Sequence, residues 1–177
     1  MLDAFIDTLE LFPRGLVYVG LAIIIIGIAR LVQGIFTPYS VTEQLNAKSN
    51  LALAIAVTGY YLGTVIIILG ALYQPFTLIT DGNLGFSADF WKEVLQVFVT
   101  ALVGVGILNV ARIVIDKLIL YKFSTAKEIV DDQNAGTGVV EFGVYVAVGL
   151  IVAASITGEG GGPLTSLVFL GLGMLVL

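Results

Sequence analysis

The stretch "DDQNAGTGVVEFGVYVAVG", residues 131–149, begins with acids and an amide and continues as an apolar run holding one glutamate, Glu141. An upstream stretch, "NAKSNLALAIAVTGYYLG" at 46–63, has the same polar entry and apolar body without the acid. Each leads into a run of spanning length. Such runs occupy 15–36, 51–73, 94–115 and 137–157, and a helix needs roughly 20 residues to cross a hydrocarbon core of about 30 Å. One run of this kind could be a buried helix of a large soluble core. Four in 177 residues cannot be, because too little polar sequence remains to cover them. The chain is 58% hydrophobic and 12% charged, against about 25% charged in an ordinary soluble domain. The expected fold is all-α, a polytopic transmembrane helical bundle.

The two opening stretches also align with each other. Shifting residues 40–72 by 84 positions lays Ser40 on Ser124, Asn50 on Asn134, Gly59 on Gly143, Tyr61 on Tyr145 and Ile67 on Ile151. An Ala-Arg pair recurs near the end of the preceding span, at Ala29–Arg30 and Ala111–Arg112. The bundle is therefore expected to be a duplicated two-helix hairpin. Two spans per copy make both copies cross in the same direction, a parallel repeat. The expected layout is an interfacial amphipathic segment at 1–14, a first two-helix repeat at 15–73, an extracytoplasmic loop at 74–93 and a second repeat at 94–157. The apolar run 164–177 is 14 residues long and reaches the last residue. It reads as the start of a further transmembrane helix that the native chain would continue.

The Asn-x-Ala-x-Ala-Ile-x-x-x-Gly string from Asn50 to Gly59, and the Asp-x-Asn-Ala-Gly-x-Gly-x-x-Glu-x-Gly string from Asp132 to Gly143, resemble the YjfL-like family of bacterial inner-membrane proteins, domain of unknown function 350. The resemblance covers about residues 15–157. It implies repeated two-helix units and a bacterial inner (plasma) membrane location, and it carries no activity and no catalytic residues. The first copy departs from the second by having Val57 where Glu141 stands.

Charge sets the expected orientation. Arg30, Lys48, Arg112, Lys117, Lys122 and Lys127 fall at the two hairpins, and Arg14 and Lys92 lie on the other side. The positive-inside rule puts hairpins 37–50 and 116–136 in the cytoplasm and the N-terminus outside. Leu2, Phe5, Ile6 and Leu9 share one helical face, expected to lie in the interface and to stop near Pro13. Tyr73, Phe76, Phe86, Phe90 and Trp91 suit an aromatic belt at the headgroups, with a turn at 80–83. A net charge of −5 argues against nucleic acid as a partner.

The chain has no Cys and no His. It thus lacks thiolate chemistry, the usual general base and the commonest metal ligand. The Gly-rich segment 158–162 follows a span and precedes Pro163, so it reads as a turn, not as a phosphate cradle. No enzymatic activity, cofactor or metal is expected.

The polar residues of the spans then carry the functional question. Asn134, Gly138, Glu141 and Tyr145 fall on one narrow stripe of a helix, and Asn50, Ala54, Val57 and Tyr61 repeat it in the first copy. Gly59 and Gly63, with Gly143 and Ala147, lie on the opposite side as small-xxx-small pairs suited to close helix packing. Asn50 and Asn134 stand at helix starts, where a side-chain oxygen caps free N–H groups, or they line a polar path. Glu141 lies about 10 Å inside the span at 1.5 Å per residue. A charge facing lipid there costs about 2.5–3.5 kcal/mol on insertion scales, so the carboxyl must be protonated, paired or facing water. Asn109 and Arg112 occur at similar depth on the third span. Arg112 is the expected partner and Arg30 the alternative.

Two functions fit. One is an oligomeric channel or small-solute or ion carrier, with Glu141 in a polar path. The other is a non-catalytic scaffold or partner subunit of other membrane proteins, whose polar groups serve helix packing. The lipid bilayer is the common partner, and a homo-oligomer is expected.

Overall fold

The computed structural model describes residues 2–73, 86–114, 116–117, 124–157 and 163–177, with the side chains of the first helix described from Phe12 onward. Among the described residues, seven α-helices follow in order: α1 Leu2–Phe36, α2 Val41–Asn46, α3 Leu51–Leu72, α4 Ala88–Val114, α5 Thr125–Val130, α6 Ala135–Thr157 and α7 Pro163–Val176. Phe76, the turn at 80–83, Lys122, the Gly-rich segment 158–162 and the side chains of Leu2, Phe5, Ile6 and Leu9 lie outside the described residues.

Among the described residues, four helices are long and apolar enough to cross a membrane: the 12–36 part of α1, then α3, α4 and α6. The described residues form the all-helical architecture of a multi-pass membrane protein. α7 is apolar but shorter, and it packs on α6, where Gly173 meets the Ile151 side chain. α3 is the central span, with 56% of its most apolar window buried against 11% for α1. α1 is therefore the most exposed of the four spans. The break expected near Pro13 does not occur, because α1 is one helix of 35 residues with Pro13 inside it. A proline in a helix interior costs about 3 kcal/mol. Ending the helix where water is scarce would expose more backbone groups than the proline removes, so the helix continues.

The core is a parallel pair, α3 and α6. Gly59 abuts the Phe142 backbone, Gly63 lies against the Tyr145 carbonyl, and Gly70 against Ala153; from the other side, Gly138 abuts the Ala52 carbonyl and Gly149 faces Gly63. Contact positions advance together along both helices, so the two run in the same direction. A side chain at Gly63 would stand 2.5 Å from the Tyr145 oxygen. Small residues are what allow the backbones to come this close. α4 closes the triangle, with Gly104 under Ile67 of α3 and Val152 of α6. α1 is tied to α3 by the Tyr60 hydroxyl, which donates to the Ala29 carbonyl at 2.9 Å.

The expected packing faces need one correction. Gly143 meets nothing within 4 Å and is exposed, and Ala147 on the same side is only half-buried. The pair that mirrors Gly59 and Gly63 thus faces away from α3. α6 has turned its polar stripe inward instead, burying Gly138, Glu141 and Tyr145. A buried carboxyl costs more to leave facing lipid than two small residues do, and this sets the rotation of the helix.

Before each of α3 and α6 stands a short helix, and the two match bond for bond at a spacing of 84 residues. Ser40 caps α2 by accepting from the Glu43 N–H, and Ser124 caps α5 by accepting from the Lys127 N–H. Lys48 N donates to the Glu43 carbonyl and Asp132 N to that of Lys127, while Asn50 N donates to Gln44 and Asn134 N to Glu128. Ser49 and Gln133 both take positive φ, 51° and 47°. This is the left-handed step that ends a helix and turns the chain into the next span.

Candidate functional site

Three elements bring charge to one place. α4 carries Arg112 in its last turn, α6 carries Glu141 near its start, and the segment after α4 carries Asp116. Arg112 Nε lies 3.7 Å from Glu141 Oε1 and 3.8 Å from Asp116 Oδ2. The side chains of Arg112 and Glu141 are only 11% and 9% exposed. The guanidinium also donates from a terminal nitrogen to Thr37 Oγ1 at 3.4 Å, and that hydroxyl donates to the Gln33 carbonyl at 2.7 Å. Arg112 thus joins the end of α1 to α4 and α6. Asp116 is held in turn by the Thr125 hydroxyl, which donates to its Oδ1 at 3.0 Å.

The pair is close but not hydrogen-bonded. Glu141 Oε1 and Arg112 Nε are both buried without a hydrogen-bond partner. Two carboxylates share one guanidinium, so with all three ionised the cluster carries one surplus negative charge. A site of that sign attracts cations or protons and disfavours anions. Among the described residues, no three of His, Cys, Asp and Glu converge as a metal-binding group.

A cavity of about 520 Å³ opens beside the pair. Arg112, Asp116 and Glu141 line it with Thr137, Val144 and Tyr145. At a liquid-water share of about 30 Å³ per molecule, that volume equals roughly 17 waters. On the other side of Glu141 the packing is tight, and a void of about 10 Å³ between Thr37, Tyr39, Arg112 and Glu141 has room for one water at most. Tyr39 lies outside the spans, where burial pushes its phenol up from the usual value and neighbouring Arg112 pulls it the other way.

The other sequence candidates separate. Asn109 does not reach Glu141; its side-chain amide donates to the Tyr60 hydroxyl at 3.1 Å and to the Val105 carbonyl at 2.8 Å. Arg30 is exposed on α1, so Arg112 and not Arg30 stands beside the carboxyl. Asn50 caps α3 by accepting from the Leu53 N–H at 3.0 Å, and its amide donates to the Ile129 carbonyl at 2.7 Å. Asn134 accepts from the Gly136 N–H and donates to Glu128 at 3.0 Å. Tyr145 is buried with its ring edge-on to Tyr60, and Tyr61 is half-buried on the other side of Tyr60.

Gln33, Thr37, Tyr39, Tyr60 and Asp116 escaped the sequence reading. The signal for Asp116 and Thr37 was present, since each immediately follows an apolar run on the same side as Arg112. Hairpin residues of this kind are ordinarily solvated, and only the fold shows these two turned inward. At the other end of the spans, Arg14 is buried with its guanidinium 5.1 Å from the Phe90 ring centre, and Phe86 and Trp91 stack beside it.

The family model described as Domain of Unknown Function (DUF350) matches residues 7–156. The chain belongs to that family. No match was found among curated proteins or among solved structures.

Proposed function

We propose that this DUF350 protein is a permeation protein of the bacterial inner membrane, passing a cation or proton, or a small solute coupled to one, by way of Glu141. The observation that carries this reading is the cavity of about 520 Å³ ending on a buried Glu141–Arg112 pair with no hydrogen bond between them. Ionisable groups at membrane depth are expensive, and they recur along ion pathways and proton relays. The carboxyl is the binding group, Arg112 sets its charge balance, and Asp116 draws the cation toward the mouth. Lys48, Lys117 and Lys127 stand beside the short helices α2 and α5, which supports hairpins 37–50 and 116–136 in the cytoplasm and an outside N-terminus. The cavity then faces the cytoplasm. We assign no enzymatic reaction and no cofactor.

The test is flux through liposomes holding the purified protein, wild type beside Glu141→Gln, for H⁺, Na⁺, K⁺ and Cl⁻. Cation or proton flux that falls at least tenfold in the variant, with helix content unchanged, supports the reading. Absence of flux for every ion in the wild type favours the scaffold alternative, in which the tight α3–α6 contact is the purpose of the fold and the Glu141–Arg112 pair only locks helix rotation.

A further inference from the structure

The chain presents both halves of the α3–α6 contact a second time, on its outside. Subtracting 84 from the α6 residues that pack on α3 converts Gly138, Phe142, Gly149 and Ala153 into Ala54, Thr58, Val65 and Leu69, which form the outer, largely exposed face of α3. Adding 84 to the α3 residues that pack on α6 converts Ala52, Gly59, Gly63 and Gly70 into Gly136, Gly143, Ala147 and Ala154, the outer face of α6. One copy of the contact is made inside the chain. Its two complementary faces stand open on opposite sides.

Two further features of the inner contact have open counterparts. Asn50 of α3 donates to the carbonyl of Ile129 on α5 at 2.7 Å. The counterparts are the exposed Asn134 and the carbonyl of Leu45 on α2, which cannot reach each other within one chain if α2 and α6 keep the matching arrangement. Ile129 is also fully buried, packed on Ala52, Leu53, Ala56 and Val57. The positions matching those four, Gly136, Thr137, Val140 and Glu141, are not packed: they line the cavity of about 520 Å³. The cavity therefore lies where the residue matching Ile129, the Leu45 of another copy, belongs.

We propose that the partner covering these faces is a second copy of this chain, and that copies repeat the α3–α6 contact side by side into a ring. The outer face of α6 in one copy packs on the outer face of α3 in the next, Gly143 against Thr58 and Ala147 against Val65. Asn134 bonds the Leu45 carbonyl, and Leu45 walls the Glu141 cavity off from lipid. A head-to-tail contact yields a ring when the rotation closes and a filament when it does not. Because α3 and α6 are parallel and every copy must span the same bilayer, the step has no rise, which excludes a helical filament and leaves closure into a ring to the rotation between copies. The contact rests on the matched faces and not on transport, so it stands or falls separately from the flux result.

The chain contains no Cys, so cross-linking reads the contact directly. In the inner contact the Phe142 Cβ stands 3.0 Å from the position of a Cβ on Gly59, close to the roughly 3.8 Å of a disulfide. The matched pair is Thr58 with Gly143. Full chains carrying Thr58→Cys and chains carrying Gly143→Cys are expressed together and oxidised in the membrane, with Val65→Cys and Ala147→Cys as a second pair. The expected result is a covalent dimer only when both members of a pair are present, and a ladder ending at the ring number when both changes are on one chain. Dimers from Gly143→Cys alone mean a face-to-face two-fold contact and overturn the proposal. Absence of cross-links from both pairs, with all variants inserted and their thiols titratable, overturns it as well.

Discussion

Glu141 and Arg112 are the residues on which the site rests, and their mutual dependence is measurable. Removing one partner of a buried pair leaves the other uncompensated, so either single change to Gln should cost more than the two together imply. A double-mutant cycle of Glu141→Gln and Arg112→Gln, read by unfolding in detergent micelles, is expected to give a coupling of about 1–3 kcal/mol. Additive effects would sink the pairing. The Tyr60 hydroxyl is a second testable group, since it donates to Ala29 of α1 and accepts from Asn109 of α4. Tyr60→Phe removes both bonds with little change of volume, and a loss of about 0.6–1.7 kcal/mol is expected from hydrogen bonds of this kind in membranes. Glu141 was legible from the sequence because an acid seven residues past Asn134, inside an apolar run, has few places to go. Its partner followed from depth along the neighbouring span. Thr37 and Gln33 were not legible, since nothing local to them announces that a guanidinium 75 residues away donates to the threonine.

At the scale of the elements, the glycines of α3 and α6 should respond unequally. Gly59→Ala drives a methyl into the Phe142 backbone, and overpacking of this kind costs about 1–3 kcal/mol. Gly143→Ala meets nothing within 4 Å, so the stability of a single chain should change by less than about 0.5 kcal/mol. If copies associate as proposed, Gly143→Ala weakens the oligomer instead, which size-exclusion in detergent would report as a shift to smaller species. The spans themselves could be read from hydropathy, because their length is set by the bilayer and not by tertiary partners. Which face of each span packs could not. The small-residue stripe and the polar stripe both lie on α6, and only the positions of α3 and α4 decide that the polar one turns inward. Pro13 shows the same limit: in water it would end α1, but the surroundings of a membrane helix favour continuation.

The whole molecule is a parallel α3–α6 pair braced by α4, with α1 and α7 on the outside and the short helices α2 and α5 beside one end of the spans. In that arrangement the hairpin-side residues Asp116, Thr125 and Asn134 line the Glu141 cavity, while packed side chains fill the other side of Glu141. The central claim is that water reaches Glu141 through this cavity while the site stays buried from lipid. The most direct measurement is thiol labelling of Val144→Cys, which lines the cavity half-buried, in sealed membrane vesicles of known orientation. Ile24→Cys, on the exposed apolar surface of α1, serves as the lipid-facing control. A membrane-impermeant maleimide should modify Val144→Cys from the hairpin side only and leave Ile24→Cys untouched. If Val144→Cys is as unreactive as Ile24→Cys from both sides, no water reaches the site and the account of a polar path to Glu141 is wrong.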